Sequence, residues 1–119
     1  MEFHLGPGPG SGASIRLLKD LQSPDIRIYG MDVEHSFRLN GHEAYSTGDI
    51  RVVQATVSSD GVGELVSDGE FHLSPQSTVT NNVIVRAGDD VFAHGSLNAD
   101  TIDFAGDLTV TGEIDRVGG

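Results

Sequence analysis

The chain has 119 residues with 16 glycines, no cysteine, no tryptophan and a formal net charge of −11. That length holds one domain with a small core. The missing thiols exclude a disulfide framework, a thiolate zinc site and a cysteine nucleophile, and the charge disfavours nucleic acid as a partner.

With 37 % hydrophobic and 6 % aromatic residues, so much glycine favours thin, turn-rich β structure over a helical bundle. The acidity is uneven: residues 1–51 hold seven acids and five bases, whereas residues 52–119 hold eleven acids against Arg86 and Arg116. No apolar run reaches the eighteen or so residues of a membrane span. The N-terminus also lacks the basic start and apolar run of a secretory signal. A soluble chain without a membrane partner is the expectation.

In chain order, residues 6–12 read Gly-Pro-Gly-Pro-Gly-Ser-Gly. Proline lacks a donor and glycine carries a large ordering cost, so this stretch predicts an extended arm. Ser14 can cap a short helix over residues 15–22, where Ile15, Leu18 and Leu21 recur at helical spacing and Pro24 ends the run. Residues 1–24 are therefore expected to be arm and short helix.

Residues 25–72 read as a small antiparallel sheet. Ile26 and Ile28 alternate, as do Val33, His35, Phe37 and Leu39, before a turn pair at Asn40-Gly41. Residues 50–57 predict a further strand, Asp60-Gly61 a second turn and residues 62–66 another strand.

From residue 73 to 119 an aliphatic residue returns every sixth position at Leu73, Val79, Val85, Val91 and Leu97. After one step of five it returns at Ile102, and then at Leu108 and Ile114. Between residues 101 and 115 the even positions are apolar or glycine and the odd ones mostly polar, with Gly95, Gly106 and Gly112 expected at bends between short strands. Such strands wind into a triangular, hexapeptide-type β-helix with those eight aliphatics as its core. The whole chain is thus expected to be all-β, an antiparallel hairpin sheet followed by a short β-helix.

Ordering six residues costs roughly 9 kcal/mol at about 1.5 kcal/mol per residue, while the aliphatic burial of one hexad returns about 3–5 kcal/mol. Partner chains are therefore expected to add burial, as a homo-oligomer and most naturally a trimer. Open strand edges at the ends of a repeat array point the same way.

The segment from His94 to Ile114, with its Gly-x-aliphatic units, resembles repeats in fibre, spike and capsid-decorating proteins of tailed viruses. It is also similar to bactofilins, whose β-helices join end to end into filaments, although these are β-helix throughout. A third likeness is to hexapeptide-repeat acyltransferases, for whose acyl-donor cleft this repeat is too short. The viral resemblance implies a non-enzymatic, oligomeric component of the virion that contacts other virion proteins. The alternatives are a cytoplasmic bactofilin-like scaffold and a carbohydrate-adhesion module.

No reaction motif stands beside the repeat, so neither a catalytic nor a cofactor-binding residue is assigned. His94 cast as a general base lacks substrate-positioning neighbours. His35 and His42 flank the Asn40-Gly41 turn, and a zinc site there needs a third ligand that nothing indicates. Asp89, Asp90, Asp100, Asp103 and Asp107 offer oxygen ligands, leaving calcium as the one cofactor to be considered.

Overall fold

The computed structural model describes residues 1–5, 14–30, 35–80 and 82–114. Within them the alternating aliphatic stretches form seventeen strands of two to five residues and no helix. The first coil holds β1 (Glu2–His4), β2 (Ser14–Arg16) and β3 (Leu21–Ser23), and the second β4 (Ile26–Tyr29), β5 (Ser36–Arg38) and β6 (Glu43–Ser46). The third holds β7 (Ile50–Val53), β8 (Thr56–Ser58) and β9 (Gly63–Ser67), and the fourth β10 (Phe71–Leu73), β11 (Thr78–Val79) and β12 (Val83–Ala87). The fifth is β13 (Val91–Ala93), β14 (Ser96–Leu97) and β15 (Thr101–Phe104), followed by β16 (Leu108–Val110) and β17 (Glu113–Ile114).

Each strand pairs in parallel with the strand three places away, so the chain is a β-solenoid of about five turns built from three stacked sheets. The first sheet runs β1-β4-β7-β10-β13-β16, the second β2-β5-β8-β11-β14-β17 and the third β3-β6-β9-β12-β15. Along every strand one set of side chains points inward and the other outward. The inward columns form one continuous core, for example Ala44, Leu65, Val85 and Ile102 in the third sheet. Its largest members, Phe37 and Phe71, are fully buried.

The corner between the third and first sheets is held by buried polar groups, whereas Leu17 and Leu39 are buried at the corner after the second. Ser23, Ser46 and Ser67 stand in register at the end of the third sheet, all buried. Their hydroxyls donate to corner carbonyls, Ser23 Oγ to Asp25 O at 3.0 Å and Ser46 Oγ to Asp49 O at 2.8 Å. Asp49 O also accepts from the Ile26 amide, so the serine hydroxyls add a second bond at this corner, and their own burial is offset by it.

Several expectations are corrected by this architecture. Residues 15–22 are not a helix: β2 and β3 lie there, because Ile15 and Leu21 cap the inward columns of two different sheets. Residues 25–72 contain parallel strands, not antiparallel hairpins. Asn40 and Gly41 do adopt positive φ, 55° and 78°, but the turn leads β5 into β6 of a neighbouring sheet instead of folding back on β5. The same three sheets cross residue 73, so the hairpin region and the repeat are one structure.

The coil length also drifts. Arg27, Arg51, His72, Phe92 and Thr109 form one column at intervals of 24, 21, 20 and 17 residues. Spacing close to three hexads belongs only to the last coils, and Leu73 accordingly pairs with Ala93 rather than Val91. The Gly/Pro stretch at residues 6–12 and the last five residues lie outside the described residues.

Candidate functional site

The outward face of the first sheet differs from the rest of this acidic molecule. Alternation turns Arg27 and Tyr29 of β4, Arg51 and Val53 of β7, His72 of β10, and Phe92 of β13 away from the core. Parallel in-register strands set such side chains about 4.8 Å apart, a stacking distance for rings. His4 stacks on Tyr29 with centroids 5.1 Å apart, and His72 on Phe92 at 4.6 Å. His94 follows at 6.4 Å from Phe92.

The basic side chains on this face are not alike. Arg27 meets Glu2 at 3.5 Å, and His72 Nε2 lies 2.9 Å from Glu70 Oε1. Exposed Arg51 sits directly above Arg27 in the ladder and forms no ion pair among the described residues. Beside it opens a pocket of about 170 Å³, lined by Arg51, Val53, His72, Ser74, Pro75 and His94. His94 Nδ1 is fixed by a 2.6 Å hydrogen bond with Thr111 Oγ1, which leaves its Nε2 available.

No protein-family model, curated protein or solved structure matches this chain.

A second outward feature is a carboxylate column at the corner between the third and first sheets. Asp25, Asp49, Glu70, Asp90 and Asp107 each precede the first inward residue of a first-sheet strand. Their oxygens are used locally. The Asp49 amide donates to Asp25 Oδ1 at 3.2 Å, the Glu70 amide to Asp49 Oδ1 at 2.8 Å and the Asp107 amide to Asp90 Oδ1 at 2.7 Å. Asp25, Asp49 and Asp90 thus clamp the next coil, whereas Glu70 meets His72 in its own coil.

Stacking acids in register has an electrostatic cost. The carboxyl of Asp89 is raised above its ordinary value, first by the charge of Asp90, then by desolvation and by Glu70. On the third sheet Glu43 is raised, mainly by burial and then by its hydrogen bond with Glu64. The Tyr45 phenol is raised by the hydrogen bond it donates to Asp68 at 2.8 Å.

The residues singled out in the sequence fall as follows. Leu73, Val79, Val85, Val91, Leu97 and Ile102 are fully buried on six successive strands, Leu108 is half-buried on β16, and Ile114 lies on β17. Gly95, Gly106 and Gly112 sit where the chain bends between strands. A side chain on Gly112 would run into the carbonyls of Gly95 and His94 in the coil below, so close stacking of backbones rather than a left-handed φ calls for glycine there.

His35 is buried and has interactions of its own, whereas His42 is half-exposed and lies 3.4 Å from Asp20. Asp103 pairs with Arg86 at 3.4 Å, and Asp90 clamps Asp107. Among the described residues no three acids or histidines converge as a metal site.

The pocket residues went unnoticed in the sequence, apart from His94. A signal for them exists: an acid, a large apolar residue, a variable outward residue and a second inward residue recur at Asp25–Ile28, Asp49–Val52, Glu70–Leu73, Asp90–Ala93 and Asp107–Val110. The variable third position, Arg27, Arg51, His72, Phe92 and Thr109, is the column from which the face is built. A fixed six-residue count misses it because the interval shortens along the chain.

Proposed function

We propose that this chain is a non-enzymatic structural building block that joins copies of itself end to end, a scaffold of the bactofilin kind. The observation that supports this best is the state of the solenoid's two ends. Interior core residues are fully buried, but Phe3, Ile15 and Leu21 at one end and Phe104 and Leu108 at the other are only partly so. Val110 occupies an inward position above Ala93 yet is 40 % exposed. Among the described residues nothing pairs with the outer edges of β1, β2 and β3, or of β15, β16 and β17.

Open edges of this kind template further strands, and repeat arrays need a cap or a neighbour at their termini. Each coil closes its own core within one chain, so the three-chain association expected from the sequence is not needed to bury the aliphatics. The demand for a partner is confined to the ends. In this reading the solenoid is three-sided in section and its filaments grow along the solenoid axis.

A second setting for the same block is the exterior of a virus particle, favoured by the fibre-like repeat from His94 to Ile114, which here builds the last coils. Co-purification with capsid or tail proteins supports the virion setting. Filaments formed by the purified protein alone support the scaffold.

The test is sedimentation and negative-stain microscopy of the wild-type chain and of Val110→Lys. The wild type is expected to form oligomers or filaments in a concentration-dependent way. Val110→Lys, which puts a solvated charge at the open end while disturbing little of the core, is expected to sediment as a 12.6 kDa species. A wild-type chain that stays monomeric at all concentrations refutes the proposal.

A further inference from the structure

We propose that the pocket beside Arg51 binds an acidic sugar, taking one uronate ring of an extended acidic glycan. This goes beyond the scaffold reading and does not depend on it.

Charge gives the first argument. In-register like charges on adjacent strands repel, and among the described residues the Arg27–Arg51 pair is offset on one side only, by Glu2 at 3.5 Å from Arg27. Among the described residues Arg51 is exposed and has no ion-pair partner, in a chain of net charge −11. A guanidinium fork matches a planar carboxylate in bidentate fashion. One such fork, with Glu70 close by on His72, suits a single carboxylate better than the denser charge of a phosphate.

Shape and lining give the second. A pocket of about 170 Å³ is well below the roughly 300–1,000 Å³ of sites that enclose a whole drug-sized ligand. It has room for one ring, and its place on an open sheet face lets a chain continue on both sides. Val53 and Pro75 supply apolar walls for the C–H face of a pyranose. Ser74 Oγ is already engaged by the Gln54 amide, the Pro75 carbonyl and Ser77 Oγ, so among the described residues the Nε2 of His94 and the Nδ1 of His72 are the groups left to pair with hydroxyls. Phe92, stacked between His72 and His94, extends the platform toward the next coil.

The test is an NMR titration of the full-length, isotope-labelled chain with trigalacturonate, its methyl ester, inorganic phosphate and a short single-stranded oligonucleotide. Trigalacturonate is expected to give saturable shifts at Arg51, Ser74 and the His72 and His94 rings, weakening as salt screens the charge. Arg51→Gln, an exposed substitution checked for fold by circular dichroism, is expected to weaken binding about tenfold, as loss of a charge-assisted bidentate contact does. His94→Gln weakens it less, and Arg86→Gln on the third sheet leaves it unchanged.

Three results would overturn the proposal. These are the absence of saturable shifts, equal binding of the uncharged ester, and equal or tighter binding of phosphate or the oligonucleotide with the same Arg51 dependence. Filament formation is scored separately, so failure here leaves the end-to-end proposal standing, and the reverse.

Discussion

Replacing Leu65 by alanine tests whether the solenoid is one continuous core. Leu65 is fully buried on β9, with Ala44 beneath it and Val85 above in the same column. Three buried carbons at about 0.8 kcal/mol each give about 2.4 kcal/mol of lost transfer energy. Ala44 is too small to fill the gap and the coils above and below hold the spacing, so a cavity cost brings the total to about 4 kcal/mol. In urea, with a slope of about 1.5 kcal/mol per molar for a chain of this size, the midpoint falls by about 2–3 M.

Leu108→Ala is the matched control. Leu108 is half-buried with one coil beneath it, and its loss is expected to cost about 1 kcal/mol. Both variants are best measured on the Val110→Lys background, so that association does not enter the midpoint. Hydrogen exchange adds a spatial readout, with Leu108→Ala raising exchange in β15 and β16 only and Leu65→Ala raising it in the coils on both sides. Equal losses for the two variants would refute the stacked-core reasoning.

The corner glycines give a second prediction. A β-carbon on Gly88 would collide with the carbonyl oxygen of Asp68 and lie 3.0 Å from its carbon, so Gly88→Ala is expected to cost about 2 kcal/mol by thermal melting. Gly61→Ala meets nothing within 4 Å but must hold a φ of 81°, and about 1 kcal/mol is expected there. The reverse order would show that φ, not coil contact, selects these glycines. A third prediction concerns pH. The folded-state carboxyls of Asp89 and Glu43 are raised above their ordinary values, so the folded chain holds these protons more tightly than the unfolded one. Their ionised forms are unfavourable in the folded state above those raised values, and the penalty is relieved as pH falls through them. As pH falls from neutrality into the carboxylate range, the denaturation midpoint of the wild type should change in a more stabilising direction than that of Asp89→Asn/Glu43→Gln; identical pH slopes would contradict this.

Much of the β content was legible because alternation is a local property. Ile26-x-Ile28, Phe71-x-Leu73 and Ile102-x-Phe104 announce an inward and an outward face whichever strand comes next to them. Partner choice is not local. Asn40-Gly41 has the backbone freedom that a hairpin needs, and the same freedom serves a solenoid corner. Only the inward residues of the adjacent coils, Ile15 below Phe37 and Val57 above it, decide between them. Ile15, Leu18 and Leu21 fit a helical spacing, but Leu18 is 77 % exposed while Ile15 and Leu21 join separate sheets.

The amino-acid sequence by itself determined the composition of the faces: thin, glycine-bent strands, aliphatic on one side and acidic or hydroxyl-bearing on the other. That much follows from side-chain period and from the cost of ordering glycine. Tertiary structure alone decided that all the strands run parallel, that the coils begin with β1 rather than at residue 73, and that Arg51, His72 and His94 share one pocket. Those residues are 21 and 22 positions apart along the chain. They meet because each coil settles at the length that stacks its core, and an outward side chain goes wherever its buried neighbours are set.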